Sequence, residues 1–448
     1  MVRLSYERFV MTCFRSLSLF LFMVLMPSIV CAGFREQMLA GIPADYQLDP
    51  RNVVFTPEGD KVAFAVRLGD KRSVVFQDRV GKAYNDVRHI SISPDKRSVA
   101  YSASPVPKGG GDYSEYRVVN NIETGPFQQV CNPVFSPDSR RIVFEAKSAN
   151  KWRHAISAID ADRIAAETEK ADLHWMGPVF SPDGRFIVSI QQHRETKKNV
   201  RLVSAVEDMR EVHCREYDSI VDVVYSADGL RTAYVAKKGG KAFVVASSFA
   251  GGDEREGAAF DAVSRLVLSE NAAHVGYFAE RNGKRFIVVD EKEIPAPFFY
   301  DHFPPVLSRG GKIFAYAALK EGKQFIVAAG KETPLYDDIS GFALSPDGAT
   351  VAYGALVSGT WRLIVNGSVG QAYDSVDAVR FTPDAKHVVF RGTKGDKQCM
   401  VIVDLSGHVV REGPLFDEIW TPAFDQAGRL GYGALKGREL WWKTLVVD

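Results

Sequence analysis

The stretch Gly177-Pro178-Val179-Phe180-Ser181-Pro182-Asp183-Gly184 decides the fold, because it recurs. It returns as Asn132-Pro133-Val134-Phe135-Ser136-Pro137-Asp138 and as Gly341-Phe342-Ala343-Leu344-Ser345-Pro346-Asp347-Gly348. With the Ser/Thr as anchor, the series is Thr56, Ser93, Ser136, Ser181, Ser226, Ser269, Ser308, Ser345 and Thr382, and a degenerate tenth unit is anchored at Asp425. The mean period is 41 residues, the size of one four-stranded propeller blade.

Each part of the unit has a physical reading. An apolar run such as Val221-Asp222-Val223-Val224-Tyr225 precedes the anchor and reads as a strand. Pro-Asp-Gly makes a tight turn: Pro fixes φ, Asp bonds nearby backbone, and Gly accepts positive φ. A second strand follows, with an aromatic eight residues after the anchor in eight of ten units: Phe64, Tyr101, Phe144, Tyr234, Tyr277, Tyr316, Tyr353 and Phe390. A Gly-Lys hairpin such as Gly322-Lys323 leads to a third strand, and a weaker fourth ends near an aromatic–acid pair. That pair reads Tyr84-Asn85, Tyr217-Asp218, Phe260-Asp261, Tyr336-Asp337, Tyr373-Asp374 and Phe416-Asp417, with Tyr300-Asp301 one residue closer to its anchor. The expected fold class is all-β, a β-propeller of about ten four-stranded blades. One ring is expected, and two five-blade rings split near 250–260, at Ala250-Gly251-Gly252-Asp253-Glu254, are the alternative. Because the last unit runs out after three strands, closure is expected to borrow Ala44-Asp45-Tyr46-Gln47 as its outer strand.

Residues 1–32 read as an export signal. Arg3, Arg8 and Arg15 precede the apolar run Leu17–Met26, and Val30-Cys31-Ala32 fits cleavage after Ala32. Residues 33–43 then form a short linker, and 44–448 the repeat array. The expected location is the periplasm, with extracellular or membrane-anchored placement as alternatives and no membrane span once the signal is removed. Of 448 residues, 56 are basic and 55 acidic, so phosphate neutralisation of a nucleic acid is not expected. Cys131, Cys214 and Cys399 are too widely spaced for a disulfide framework and read as free, mostly buried thiols.

Ser-Pro-Asp-Gly followed by an apolar–Ala–aromatic strand resembles the TolB-type β-propeller repeat, a relative of WD-type propellers. The resemblance covers about residues 44–448. It implies the fold, and its members include Tol-system components, peptidase propeller domains and lyases. No α/β domain precedes the first repeat, unlike TolB proper.

No His-Glu-x-x-His, Cys-x-x-Cys, Gly-x-Ser-x-Gly or phosphate loop occurs, so no catalytic, cofactor or metal residue is assigned and no cofactor is expected. The function expected is a non-enzymatic exported scaffold that binds another envelope protein or polymer through one loop face. A propeller lyase or hydrolase acting on a polysaccharide or peptide, and a detached Tol-system-like component, are the alternatives. Strand order puts the aromatic–acid corners and the Gly-Lys hairpins on one face. Its candidate partner-binding rim is Asp218, Asp261, Asp301, His302, Asp337, Asp374 and Asp417, with capping and salt bridging inside the face as the plainer role. Two inserts break the pattern: Pro105–Gly111, and Ala161–Ala171 with helical composition.

Overall fold

The computed structural model describes residues 34–105, 114–159, 166–171, 174–192, 196–269, 273–300, 302–311, 313–420, 422–425 and 427–445. The signal reading at 1–32 and most of the Pro105–Gly111 insert lie outside them. The strands sort into ten antiparallel sheets in chain order, and the chain is a ten-blade propeller. In the first nine blades the four strands pair in sequence from inner to outer. We letter them A to D.

The tenth blade closes the ring. Its inner strand is broken into Glu418–Ile419 and Ala423–Phe424, followed by Leu430–Lys436 and Glu439–Leu445. The outer strand comes from the other end of the chain: Phe34–Gly41 pairs antiparallel with Glu439–Leu445. Closure by an N-terminal strand was therefore expected correctly, but the strand is displaced. Residues 44–45 form a turn, and Gln47 already opens strand A of the first blade, Gln47–Phe55. The segment cannot be both, because Arg438 grips its backbone: the guanidinium donates to the carbonyl of Tyr46 at 2.7 Å, and Ile42 N donates to Arg438 O at 2.8 Å. Phe55 packs on Trp420 and Trp442 at 5.3 and 5.8 Å, sealing blade ten against blade one. Blades five and six meet through an ordinary core, with Val235, Ala242 and Val244 against Phe260, Val263 and Tyr277. The two-ring division near 250–260 is thereby excluded.

The described part of the insert with helical composition is a strand. Residues Ala166–Ala171 form strand D of the third blade, pairing with Lys151–Ala158. Tertiary context overrides propensity: a blade needs an outer strand, and the backbone supplies it whatever the side chains prefer.

The anchor repeats for a reason the structure shows. Every Ser/Thr anchor is buried, and its hydroxyl accepts the amide five residues later, as in Arg141 N to Ser136 Oγ at 2.9 Å and Thr350 N to Ser345 Oγ at 2.9 Å. The same hydroxyl donates to the turn carboxylate, at 2.6 Å in Ser136–Asp138, Ser181–Asp183 and Ser345–Asp347. In the tenth unit Asp425 stands in for the hydroxyl–carboxylate pair, its Oδ1 accepting the amides of Ala427 and Arg429 at 2.9 Å. Successive turns also stack. At Gly229, φ is +68° and an added Cβ would lie 2.6 Å from Cγ of Pro182 in the preceding blade. Gly229→Ala is expected to cost about 1–3 kcal/mol from left-handed strain and that overlap, read as a shift in denaturant midpoint.

These turns carry a pH dependence. The hydroxyl bond, first among several causes, holds the carboxyls of Asp95, Asp138, Asp228, Asp347 and Asp384 below the usual range, and brings Asp183 to about 2. A carboxyl lowered on folding binds its proton less tightly in the folded state. Its contribution is complete above the unfolded value near pH 4 and is lost as pH falls through the folded value. Stability is thus expected to hold flat down to about pH 4 and to drop steeply toward pH 2. Urea midpoints measured across that window check this, and Asp183→Asn should flatten the slope.

Candidate functional site

The face carrying the D–A corners and B–C hairpins is built from two periodic features that meet in space. The corner aromatic of one blade lies edge-on to the strand B aromatic of the next. The ring centroids are 6.3 Å apart in Tyr84–Tyr101, 5.9 Å in Tyr217–Tyr234, 6.1 Å in Phe260–Tyr277, 5.6 Å in Tyr336–Tyr353 and 5.3 Å in Tyr373–Phe390. Burial pushes the phenols of Tyr84, Tyr234 and Tyr353 far above their ordinary value, so they stay neutral.

The corner acids are clasps. Asp218 accepts the hairpin amide of Gly239 at 2.8 Å, Asp374 that of Gly395 at 2.6 Å, and Asp417 that of Gly437 at 2.6 Å. Asp261 accepts Asn282 N at 2.7 Å. The lysine that opens strand C of the preceding blade also reaches a corner carboxylate in Lys241–Asp261, Lys323–Asp337 and Lys397–Asp417. Lys71–Asn85 is the amide version. These pairs are exposed or half-exposed, and each contributes little alone. Their geometric effect is to hold consecutive blades in one relation around the ring. Asp301 lies outside the described residues. His302 is exposed and stacks on Tyr300 at 5.5 Å and 17°, with Phe303 edge-on at 4.8 Å.

A third repeating device went unread. Asn199, Gln324 and Gln398, next to the lysine position in strand C, cap the first amides of the following blade: Asn199 Oδ1 accepts Ile220 N at 2.9 Å and Gln398 Oε1 accepts Ile419 N at 2.7 Å. The sequence carried a signal for it, since Lys-Gln recurs at 323–324 and 397–398.

The corner between blades six and seven breaks these rules. Elsewhere the corner aromatic bridges the strand C residue beside the lysine, as in Tyr84 with Arg72, Tyr336 with Gln324 and Phe416 with Gln398. Between blades six and seven that backbone position is Ala296, whose amide donates to Arg285 O at 2.9 Å. Pro297 follows where the acid should be, so neither ring nor clasp is supplied there. Tyr300 is therefore not the corner aromatic that its distance from Ser308 suggested; its amide pairs with Ala317 of blade seven at 2.8 Å. Pro304 and Pro305 cannot donate to a ladder, and strand A of that blade shrinks to Val306–Leu307.

The missing ring leaves a space. Phe278 of blade six supplies a substitute contact to Tyr316 at 6.2 Å, and Phe299 stacks flat on Phe278 at 4.4 Å and 3°. Beside them opens a cavity of about 600 Å³. Its lining includes Ser264, Phe278, Glu280 and Arg285 of blade six. Pro297, Phe298, Phe299, Tyr300 and Leu319 line it as well. Phe298 and Leu319 are 42% and 41% exposed at its mouth. Arg285 lies 3.9 Å from Glu280 and 5.1 Å from the Phe299 ring, and its guanidinium donates no hydrogen bond among the described residues.

Among the described residues no three or more His, Cys, Asp or Glu side chains are placed to hold a metal ion. Cys399 is buried and Cys131 half-buried, and burial, its main cause, pushes each thiol up to about 11. Neither is a thiolate at neutral pH, so both are expected to react with a thiol reagent at least about tenfold more slowly in the folded than in the urea-unfolded protein.

No protein-family model matches the chain, and no curated protein matches it. Among solved structures it is similar to one described as the crystal structure of the eukaryotic initiation factor, at 12% identity and a TM-score of 0.43, covering 85% of this chain and 98% of that one. It is also similar to the β-propeller domain of the Trilobed protease from Pyrococcus furiosus, described as having an open velcro topology, at 14% identity and a TM-score of 0.34, covering 60% of this chain and 96% of that one. The propeller assignment here rests on the sheet order of the chain itself.

Proposed function

We propose that this protein is an exported, non-enzymatic scaffold of the TolB-like repeat type that binds an envelope protein or polymer through the corner-and-hairpin face. The observation that carries this reading is the open aromatic pocket between blades six and seven. It interrupts a face on which five corners are closed by an edge-on ring pair, and most of these by a clasp as well. A position that merely served the blade would follow the repeat; this one departs from it and exposes apolar side chains to solvent. The rim of Asp218, Asp261, Asp337, Asp374 and Asp417 frames the face, while Tyr300 lines the pocket and His302 stacks on Tyr300. The 1–32 signal pattern supports export; in this reading the mature chain begins at Gly33 and is periplasmic.

Photo-crosslinking tests the reading. A crosslinking residue at Leu319 is expected to give adducts with envelope material, whereas one at Leu230, exposed on the opposite A–B face, is expected to give none. Equal or stronger crosslinking from Leu230 would overturn the choice of face. N-terminal sequencing of the secreted form checks the cleavage at Ala32.

A further inference from the structure

We infer that the pocket between blades six and seven is a subsite for a neutral sugar ring of a glycan chain. This deepens the binding reading above and rests on it. Three observations point to the ligand. First, the cavity of about 600 Å³ falls in the range that takes small ligands and is open on one side, so a ring can enter while the chain continues outside. Second, Phe298 presents an exposed ring at the mouth, with Tyr300 and the stacked Phe278–Phe299 pair behind it. Aromatic faces pack against the C–H faces of a pyranose, which are apolar although its edges are hydroxylated. Third, the polar groups are balanced. Glu280 offers acceptors, Arg285 offers donors not used within the described residues, and Ser264 offers both. An anion would meet the Glu280 carboxylate, and a cation would meet the Arg285 guanidinium. A polyol satisfies both through its own hydroxyls without bringing charge, and the planar guanidinium can bond two of them at once.

A proline-rich peptide is the competing occupant, since aromatic grooves also take such segments. It would use the rings but offer few groups to the part-exposed Glu280 and Arg285 side chains, which would stay hydrated instead.

The test is calorimetric titration of the intact mature protein with cellohexaose, maltohexaose, chitohexaose and a decaproline peptide. At least one hexasaccharide is expected to bind. Phe298→Ala and Arg285→Ala are each expected to weaken it by about tenfold or more, and Leu230→Ala by less than about twofold. Thermal melting of each variant shows whether it is folded, and Phe298, being half-exposed, is not expected to matter for folding. The inference is overturned if no hexasaccharide binds at up to about 10 mM, if both pocket variants bind like wild type, or if only decaproline binds in a pocket-dependent way. Any of these leaves the crosslinking contrast between Leu319 and Leu230 intact, so failure of the glycan is separable from failure of the binding face.

Discussion

A chain lacking Phe34–Gly41 is expected to lose cooperative folding of the ring, the largest effect any local change should have. Three costs coincide. The seven register pairs between this strand and Glu439–Leu445 disappear, and with them the backbone bonds of the tenth blade's outer edge. Ala40 leaves the core that joins blade ten to Val62, Phe64 and Val75 of blade one. Finally, Lys443 is only 3% exposed and loses its carboxylate partner Glu36, which sits 2.8 Å away. Left with the Phe416 and Trp441 rings, centred 4.9 and 4.6 Å from its Nζ, Lys443 adds to a loss set against a total stability of about 5–15 kcal/mol for an ordinary domain. The measurement is denaturant unfolding followed by both tryptophan fluorescence and circular dichroism. Wild type should give one transition by both probes. The truncated chain should give a broad or early one, because an open array of blades unfolds from its ends. Glu36→Gln separates the charge from the strand. Glu36 is 42% exposed, so water recovers part of the loss, and about 1–2 kcal/mol is expected. Lys443→Met in the same background should recover most of it, since a buried pair replaced by an apolar side chain is often neutral. A truncated chain that unfolds like wild type would show that the closing strand contributes nothing.

Much of this architecture was legible because a propeller writes its geometry as a period. Ser136-Pro137-Asp138 and its copies had to recur, since one buried hydroxyl closes each A–B turn by accepting an amide and donating to a carboxylate. The corner aromatic and the strand B aromatic were each readable as a series. That they touch was not, because their contact crosses from one blade to the next and leaves no local trace. The closing strand was misplaced for a related reason. Phe34–Gly41 carries no repeat signature, as its register is dictated entirely by a partner about 400 residues away. The rim acids were found as a pattern, but their use as hairpin caps needs the backbone positions of Gly239, Gly395 and Gly437. The pocket was the least legible element. Tyr300-Asp301 looked like a slightly shifted corner, whereas the pairing of Ala296 with Arg285 shows that the true corner comes earlier and lacks its ring. A repeat search finds what matches the pattern, and the site lies where the chain departs from it.

The aromatic contacts between blades set the second large effect. Tyr353 is fully buried in strand B of blade eight, edge-on to Tyr336 at 5.6 Å, with the two hydroxyls 3.1 Å apart. Tyr353→Ala removes the ring from a core that also holds Ala315, Ala317, Ile326 and Ile364, and is expected to cost about 3–5 kcal/mol. Tyr353→Phe keeps the ring and loses the hydroxyl contact, for about 1 kcal/mol. Tyr234 occupies the same place between blades four and five, against Tyr217 at 5.9 Å. Because no described residue is shared between those two cores, Tyr234→Ala and Tyr353→Ala should be additive to within about 0.5 kcal/mol if the ring unfolds as one unit. In a closed ring every blade has two neighbours, so weakening either seam lowers the stability of the whole. Urea midpoints of the two single variants and the double variant decide the matter. A double variant that shows two separated transitions, one for each weakened seam, would mean that the blades unfold in independent blocks and that closure does not couple them.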